Sequence, residues 1–405
     1  MDHFPIVQAL CRSAMAEPSP AVRKQIERLR DALTKDGDRD AASALTNLLI
    51  AAERTKEIAP SKLSRSRAQM AGEVLTRNTP LPVDRETSAP LAEIIFPADV
   101  ASSQPIFNST VSEAIDSIVE EWANSSALSE IDIFPSKTCL IYGAPGTGKT
   151  RLATWIAREL EIPIVLVKLD GLMSSFLGTT SRNIGNLFHF VNRHRCVLLL
   201  DEFDAIAKLR DDPQEVGEIK RVVNALLQNL DTRRDVGLTI GITNHPKLLD
   251  PAVWRRFEIQ LEIPKPDFDT RVRIARHFMP PVEAPDSHLR LISWFTEDAT
   301  GAEIETLVRT YKKATTVREE DRRGLLDTLR QFATLNSARI NSSRRLLLFG
   351  EPANLFRAMK EDSTLGFSLS DIGEVAGRDK STVSRQLGRH ASAASQDEAE
   401  VTTHG

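Results

Sequence analysis

The fold is decided by the stretch Gly143-Ala144-Pro145-Gly146-Thr147-Gly148-Lys149-Thr150. An apolar run at Thr138–Tyr142, typical of a buried strand, precedes it, and a helical pattern over Arg151–Leu160 follows. A glycine-rich loop in this position can wrap its backbone N–H groups around phosphates, and the helix N-terminus adds a favourable dipole. The complete G-x-x-x-x-G-K-T pattern therefore predicts an ATP site, with Lys149 on the β- and γ-phosphates and Thr150 on Mg²⁺.

A second apolar run, Cys196–Leu200, delivers Asp201 and Glu202 at its carboxyl end. Open α/β sheets bind ligands at that edge. We expect Asp201 to hold Mg²⁺ through water, and Glu202 to orient and polarise the attacking water. Taken alone, the pair could also be a solvated acidic strand end.

Further short apolar runs, Ile164–Lys168 and Leu238–Thr243, are separated by helical patterns. Unbroken apolar strands of this kind occur in parallel sheets that are covered on both faces. The predicted fold class is α/β: a P-loop doubly wound parallel sheet with an α-helical lid, plus helical N- and C-terminal modules.

From about Leu91 to Val317 the chain resembles the AAA family, and the guanine-reading N-K-x-D motif of GTPases does not occur. Asn244 follows a strand where the family has a sensor for the γ-phosphate. The adjacent Arg255 and Arg256 match the family's arginine fingers, which complete the site of a neighbouring subunit. We expect both to act, with Arg256 slightly ahead, although a double arginine can also be an ordinary surface pair.

Two more motifs fit the family. Gly301 and Ala302 resemble the nucleotide-facing turn of the lid, without an arginine sensor. Phe176, Leu177 and Gly178 match the loop that lines the central pore of protein-threading members, and the charged stretch 208–220 would form a second pore loop. The alternative for Phe176 and Leu177 is packing against the sheet.

The rest of the chain is divided by composition and periodicity. Helical spacing of apolar residues predicts a hairpin near the N-terminus, and prolines mark a linker after it. The predicted domains are 1–60, an N-terminal helical module; 61–90, a linker; 91–265, the nucleotide-binding α/β domain; 266–338, the helical lid; 339–390, a C-terminal helical region; and 391–405, a disordered tail.

The C-terminal region resembles a helix-turn-helix, with Gly373 at the helix crossing, Gly377 at the turn and Val383 and Leu387 facing the core. It would present Lys380 and its neighbours to DNA. Residues 340–390 carry eight basic and six acidic side chains, which is a weak positive balance. A protein-docking domain or an extension of the lid therefore stays open beside DNA binding through 366–390.

Composition limits the environment and the partners. With 52 basic and 56 acidic side chains, the net charge of -4 gives no global attraction to nucleic acid. The three cysteines lack metal-ligand spacing, and two of them fall in apolar runs, so we expect reduced packing residues. No stretch has the length and apolar character of a membrane span or a secretion signal. We expect a soluble, cytoplasmic protein without membrane partners.

Together, these observations predict an ATP hydrolase that uses ATP and Mg²⁺ in a ring of identical subunits, a hexamer by resemblance. The ring would remodel or unfold a protein substrate, delivered directly or by an adaptor, with a separate protease as a further partner. The alternative is a DNA-associated ATPase in regulation, replication or defence. A non-hydrolysing scaffold is a third reading, which the intact motifs disfavour.

Overall fold

The structure is a computed structural model. It describes residues 7, 20–38, 40–46, 72–84, 86–169, 177–204, 216–233, 237–317, 324–337 and 340–388, without the side chains of 20–23, 177–179, 216–221 and 317. The chain divides into two compact units, Met1–Arg67 and Ala68–Gly405. Among the described helices, none combines the length and the apolar character needed to cross a bilayer.

The N-terminal unit contains α1 (Pro20–Lys35) and a further helical segment at 40–46. The Asp38 carboxylate caps the second segment by accepting a hydrogen bond from the Ala41 N–H at 3.2 Å. Up to residue 46 this agrees with the predicted hairpin, whose remaining apolar positions lie outside the described residues. The shared apolar cluster consists of Ile26, Leu33, Ala41, Ala42 and Leu45.

The larger unit contains the elements that position the site. Its strands are β1 (Glu73–Val74), β2 (Glu93–Ile95), β3 (Thr138–Tyr142), β4 (Ile164–Lys168), β5 (His194–Arg195), β6 (Val197–Asp201), β7 (Thr239–Thr243) and β8 (Ile259–Glu262). Its helices are α2 (Ser109–Ala123), α3 (Ser125–Ser129), α4 (Lys149–Glu159), α5 (Leu177–Arg193), α6 (Val216–Asp231), α7 (Pro251–Trp254), α8 (Phe268–Phe278), α9 (Asp286–Phe295), α10 (Gly301–Val317), α11 (Leu325–Leu335), α12 (Ser342–Phe349), α13 (Pro352–Glu361), α14 (Leu369–Ala376) and α15 (380–388).

Within the described residues, six strands form one sheet in the order β2-β4-β6-β7-β3-β8. All neighbours are parallel except β2, which runs antiparallel to β4 at the edge. This confirms the predicted α/β class. Because β6, β7 and β3 are adjacent and parallel, their carboxyl ends lie at the same edge of the sheet. The predicted phosphate loop and acidic pair follow these ends, so they must meet at that edge.

Successive strand residues point to opposite faces of the sheet, and both faces are covered. Leu140, Leu198 and Leu200 pack with α5 and α6 on one face. Cys139, Ile141, Val197 and Leu199 pack with α2 and α4 on the other. The central strands are buried on both sides, which is why they read as unbroken apolar runs. The edge strands β2 and β8 were not predicted from the sequence, and the predicted strands at 196–200 and 238–243 are observed at 197–201 and 239–243.

The lid and the C-terminal helices share one hydrophobic core, which differs from the predicted boundary at 338/339. Leu329 and Phe332 of α11 belong to the same buried cluster as Phe356 of α13, Ile372 of α14 and Val383 of α15. Of the alternatives for this region, the extension of the lid therefore describes the fold. The helix-turn-helix features also occur: a Cβ at Gly373 would lie 2.6 Å from the Arg378 carbonyl oxygen, so the chain crosses closely there.

A polar cluster fastens the C-terminal helices to the lid. Asp362 accepts hydrogen bonds from the Trp294 indole N–H at 2.6 Å and from Arg344 at 3.4 Å. The Arg344 guanidinium lies 3.7 Å from the centre of the Trp294 ring. Partial burial raises the pKa of the Asp362 carboxyl, but hydrogen bonds from Thr364, Trp294 and Leu365 outweigh it and lower the pKa to about 2.

The linker predicted at 61–90 packs against the domain from residue 72 onward, which corrects that prediction for the described part. β1 pairs in parallel with β5, and Leu75 is buried. The buried Asp84 carboxylate accepts hydrogen bonds from the Glu86 and Thr87 backbone N–H groups, and its second oxygen accepts one from Asn183 of α5 at 2.6 Å. Residues 72–84 and 86–92 therefore form a strap along α5, and we use this name below.

Candidate active site

The glycine-rich loop connects β3 to α4 at the carboxyl edge of the sheet. Gly143 has φ +147°, and a Cβ there would lie 2.2 Å from the Ile263 carbonyl oxygen, so only glycine fits. Gly148, with φ +94°, is the N-cap of α4, and no side chain caps this helix. The first N–H groups of α4 therefore point toward the loop without a side-chain acceptor, as an anion-binding helix start requires.

Lys149 is the buried cation of the loop, with 5% of its surface exposed. Its Nζ donates hydrogen bonds to the carbonyl oxygens of Gly143 at 2.9 Å and Ala144 at 2.7 Å. Burial lowers the pKa of Lys149 to about 8, against the opposing effect of Asp201 and Asp204. Main-chain carbonyls therefore hold the ammonium group at the mouth of the loop.

Thr150 and Asp201 place a hydroxyl and a carboxylate side by side. The Thr150 Oγ1 donates a hydrogen bond to Asp201 Oδ2 at 3.2 Å, which joins the start of α4 to the end of β6. Hard oxygen ligands of this kind fit Mg²⁺, which keeps waters and substrate phosphates as its other ligands. Among the residues that the structure describes, no cluster of three or more His, Cys, Asp or Glu could hold a metal alone.

Glu202 and Asn244 follow the ends of β6 and β7. Glu202 has φ +57°, in the left-handed region, and its N–H donates to Asp201 Oδ1 at 2.9 Å. The Asn244 N–H donates to Asp204 Oδ1 at 3.3 Å. Asp201, Glu202 and Asn244 all line the same cavity as the phosphate loop. The structure thus brings together the residues that the sequence predicted separately.

This cavity has a volume of about 420 Å³ and lies between the sheet edge and the lid. Gly301 and Ala302 of α10 form part of its wall, and the Ala302 N–H donates to the Gly146 carbonyl oxygen at 3.2 Å. The size lies in the range of small-molecule sites, ~300–1,000 Å³. Its walls come from residues 104–108, the phosphate loop, the ends of β6 and β7, and the lid helices α8 and α10.

The apolar end of the cavity is formed by residues that sequence reasoning missed. Ile106 and Phe107 approach from one side, and Ile274 and Phe278 of α8 from the other. Arg273 of α8 donates a hydrogen bond to the Phe107 carbonyl oxygen, which ties the lid to this wall. Ile133 and Phe134, whose side chains are 51% and 57% exposed, do not line the cavity.

With this geometry, residues 139–265 match the sequence model of the ATPase family associated with various cellular activities (AAA). The chain contains an AAA family ATPase domain. The matched residues include β3 from Cys139 onward, the phosphate loop, the acidic pair and Asn244.

Similar proteins share this domain. The chain is 37% identical over 201 residues to an uncharacterized AAA family ATPase, y4kL, of Sinorhizobium fredii, covering 50% of this chain and 60% of that protein. It is 34% identical over 192 residues to the proteasome-activating nucleotidase of Methanococcus vannielii, covering 45% and 47%. With the ATP-dependent zinc metalloprotease FtsH of Aquifex aeolicus, the identity is 33% over 207 residues, covering 49% and 33%. The match thus spans at most 60% of the length of these relatives.

A solved structure supports the fold. The crystal structure of the FIGL-1 AAA domain in complex with ADP superposes with a TM-score of 0.51 at 20% sequence identity, covering 66% of this chain and 92% of that chain. At this identity the likeness concerns the fold alone.

The two arginines after β7 have different surroundings in the AAA domain. Arg256 Nε contacts Asp231 at 3.0 Å, and its Nη1 donates to the Ala252 carbonyl oxygen at 2.9 Å. Arg255 is exposed, and its side chain forms no hydrogen bond or ion pair with any residue the structure describes. Neither arginine lines the cavity of its own chain.

The predicted pore loop lies largely outside the described residues. Phe176 is not described, and Leu177 and Gly178 begin α5 without described side chains. Of the second predicted loop, 208–220, only the backbone from 216 onward is described, as the start of α6. The pore-loop assignment stays a prediction.

Proposed function

We propose that the chain binds and hydrolyses ATP at the cavity between the phosphate loop and the lid. The observation that carries this proposal is the convergence of Lys149, Thr150, Asp201 and Glu202 at one edge of the sheet. The N–H groups of the loop and Lys149 would bind the phosphates, and the apolar end of the cavity would take the base. When bound through Thr150 and Asp201, Mg²⁺ supplies positive charge against the phosphate oxygens.

Glu202 would polarise a water that attacks the γ-phosphorus, and the bond to the β–γ bridging oxygen would break. Asn244, on the same wall, would contact the γ-phosphate and this water. Replacing Glu202 by glutamine keeps the shape and removes the carboxylate. We expect steady-state ATPase activity to fall by ~10²–10⁴ while ATP still binds. An unchanged rate would overturn the proposal.

We further infer that the site is completed by a second copy of the chain in a closed ring, a hexamer by resemblance. An arginine supplied in trans can accelerate hydrolysis by ~10³–10⁵. Both arginines stay candidates, but the surroundings favour Arg255 over Arg256, because Arg256 is already engaged by Asp231. A mixture of Glu202→Gln and Arg255→Ala subunits tests this inference. In a mixed ring, an Arg255→Ala subunit still supplies Glu202 and a neighbouring Glu202→Gln subunit still supplies Arg255, so some interfaces have both groups. Mixed rings should therefore regain some ATPase activity, and a strictly inactive mixture would argue against this inference.

We propose that the ring remodels or unfolds a protein substrate, directly or through an adaptor, with a separate protease as one potential recipient. Two similar proteins carry names that point to proteolysis, a zinc metalloprotease and a proteasome-activating nucleotidase. The predicted pore residues Phe176 and Leu177 would grip the substrate. Capture of proteins by the Glu202→Gln ring in ATP, compared with Phe176→Ala in the same background, tests this: identical captured proteins would remove the support for a pore.

We place the activity in the cytoplasm. The two described cysteines, Cys139 in β3 and Cys196 directly before β6, are buried free thiols, which agrees with a reducing compartment. Burial raises the pKa of both thiols, so they are packing groups rather than nucleophiles. Fractionation of cells that express the tagged chain tests the location.

DNA binding by the C-terminal helices is a second candidate, favoured by one observation. Arg378, Lys380 and Arg385 are exposed at the turn and along α15, while Val383 is fully buried. Deletion of 366–390 would remove core residues, so charge reversal by Lys380→Glu with Arg385→Glu is the cleaner test. The control reverses two exposed cations of α1, Lys24 and Arg28. Salt-dependent duplex binding lost only with the first pair would favour this candidate.

A further inference from the structure

The backbone ladder between β6 and β7 stops before the two strands reach the cavity. Its last paired residues are Leu200 and Gly241. Beyond them, one backbone hydrogen bond joins the strand ends, from the Phe203 N–H to the Ile242 carbonyl oxygen at 2.8 Å. Beyond this bond, the two segments are connected by hydrogen bonds to a side chain, that of Asp204. Asp204 Oδ1 accepts hydrogen bonds from Thr243 Oγ1 at 3.2 Å and from the Asn244 N–H at 3.3 Å.

Glu202, which lies between the last paired residue of β6 and Asp204, has a strained backbone conformation. Glu202 adopts φ +57°, a left-handed conformation that is unfavourable for a non-glycine residue because its Cβ approaches the following carbonyl oxygen. Such conformations persist only where the surrounding structure over-determines them. Upstream, Asp201 is paired with Lys168 of β4. Downstream, the contacts of Phe203 and Asp204 with β7 fix the chain, so Glu202 is held from both sides.

Asp204 is 2% exposed, so its carboxylate depends on the hydrogen bonds it accepts. Two of these come from the hydroxyl of Thr243, the last residue of β7, and from the backbone N–H of Asn244, which follows it. The Thr243 hydroxyl continues the arrangement by accepting from the His245 N–H at 3.1 Å. The Asp204 carboxylate thus holds the segment after β6, which contains Glu202, against the segment after β7, which contains Asn244.

From this geometry we infer that Asp204 is a positioning residue for ATP hydrolysis, which fixes Glu202 and Asn244 relative to one another. The inference rests on the proposed function. Asp204 does not line the cavity and touches no substrate; it acts through the two residues that do. The ordinary alternative is a buried aspartate that stabilises the sheet edge without affecting the chemistry.

The test compares kcat, KM for ATP and thermal unfolding of the full chain for Asp204→Ala and Asp204→Asn. Misplacing a catalytic group by about an ångström can lower a rate ~100-fold. We expect Asp204→Ala to lower kcat by ~10- to 100-fold, with KM within about threefold of wild type. Asparagine keeps an acceptor oxygen at Oδ1 and should recover most of kcat. Asp116→Ala, an exposed acidic position on α2, is the matched control.

A double-mutant cycle separates positioning from stability. If Asp204 acts in part through Asn244, the loss of kcat in the double variant should be smaller than the product of the two single losses. Additive losses would overturn the inference, as would a lower unfolding temperature with unchanged kcat. Should Asp204→Ala fail to fold, Thr243→Val removes one donor to the same carboxylate. It should lower kcat severalfold at unchanged KM, and an unaltered kcat would overturn the inference.

Failure of the proposed function gives a different result. If wild type and Glu202→Gln hydrolyse ATP equally slowly, the proposed function is wrong. The double-mutant cycle then has no wild-type rate from which losses could be measured. If wild type hydrolyses ATP, Glu202→Gln does not, and Asp204→Ala matches wild type, then only the positioning role is wrong.

Discussion

Replacing Phe356 by alanine tests whether the lid and the C-terminal helices form one core. Phe356 lies on α13, beyond the predicted end of the lid, and is 1% exposed. It belongs to the same buried cluster as Leu329 and Phe332 of α11. Removing a buried phenylalanine ring costs ~3–5 kcal/mol. Since 1.4 kcal/mol is tenfold in an equilibrium constant, local opening should become more frequent by a factor of ~100 or more.

Amide hydrogen exchange of the full chain, followed by mass spectrometry, measures this opening helix by helix. We expect faster exchange in the lid helices α9–α11 together with α13 and α14, while the sheet keeps its protection. Phe349→Ala is the matched control. The same side chain is 51% exposed at the end of α12, and its loss should change stability by less than ~1 kcal/mol.

One result would refute the reasoning. If Phe356→Ala accelerates exchange only in α12–α15, the lid and the C-terminal helices open independently. The boundary predicted from the sequence would then describe the energetics better than the shared core does.

The phosphate loop, the strap and the Asp362 cluster can each be tested by one substitution. Gly143→Ala should abolish the rise in unfolding temperature that ADP gives the wild-type protein, because the added Cβ would collide with the Ile263 carbonyl oxygen. Gly185→Ala has open space around the added Cβ and should keep this rise. Equal behaviour of the two variants would contradict this prediction. Asp84→Ala should open the strap to limited proteolysis, and Asp99→Ala, which removes only an exposed ion pair, should leave the cleavage pattern unchanged. The pKa of Asp362 lies near 2 instead of 3.8, so its contribution to stability is complete above pH ~4 and is lost as pH falls toward 2; exchange in α12–α14 should rise over this window in wild type and lose that dependence in Asp362→Asn.

The sequence predicted the centre of the site well because its signals are local. The glycine-rich loop, Asp201 and Glu202 each lie next to an unbroken apolar run, and such runs are typical of strands that are covered on both faces. Edge strands lack this signal. β8 reads Ile-Gln-Leu-Glu and buries one residue of four, so it shows an alternating pattern instead of an unbroken apolar run.

The other differences depend on contacts between distant parts of the chain. Arg256 meets Asp231, a residue of another helix, and no spacing in the sequence connects them. The apolar residues of the strap, such as the buried Leu75, follow neither helical nor strand spacing. The sequence therefore predicts a linker, although the strap packs against the domain. The boundary at 338/339 separates two stretches with the same helical period, and only their shared core shows that they are continuous. Asp204 lies close to the acidic pair, but its donors come from β7.

The common core of lid and C-terminal helices has a thermodynamic consequence. Any movement that opens or closes the nucleotide cavity through α8 and α10 carries α14 and α15 with it. A molecule that binds those outer helices more tightly in one of the two positions must therefore alter the affinity for nucleotide, and nucleotide must alter its affinity by the same factor. Reciprocity of this kind makes the far end of the chain a place from which the ATP site can be regulated without being touched.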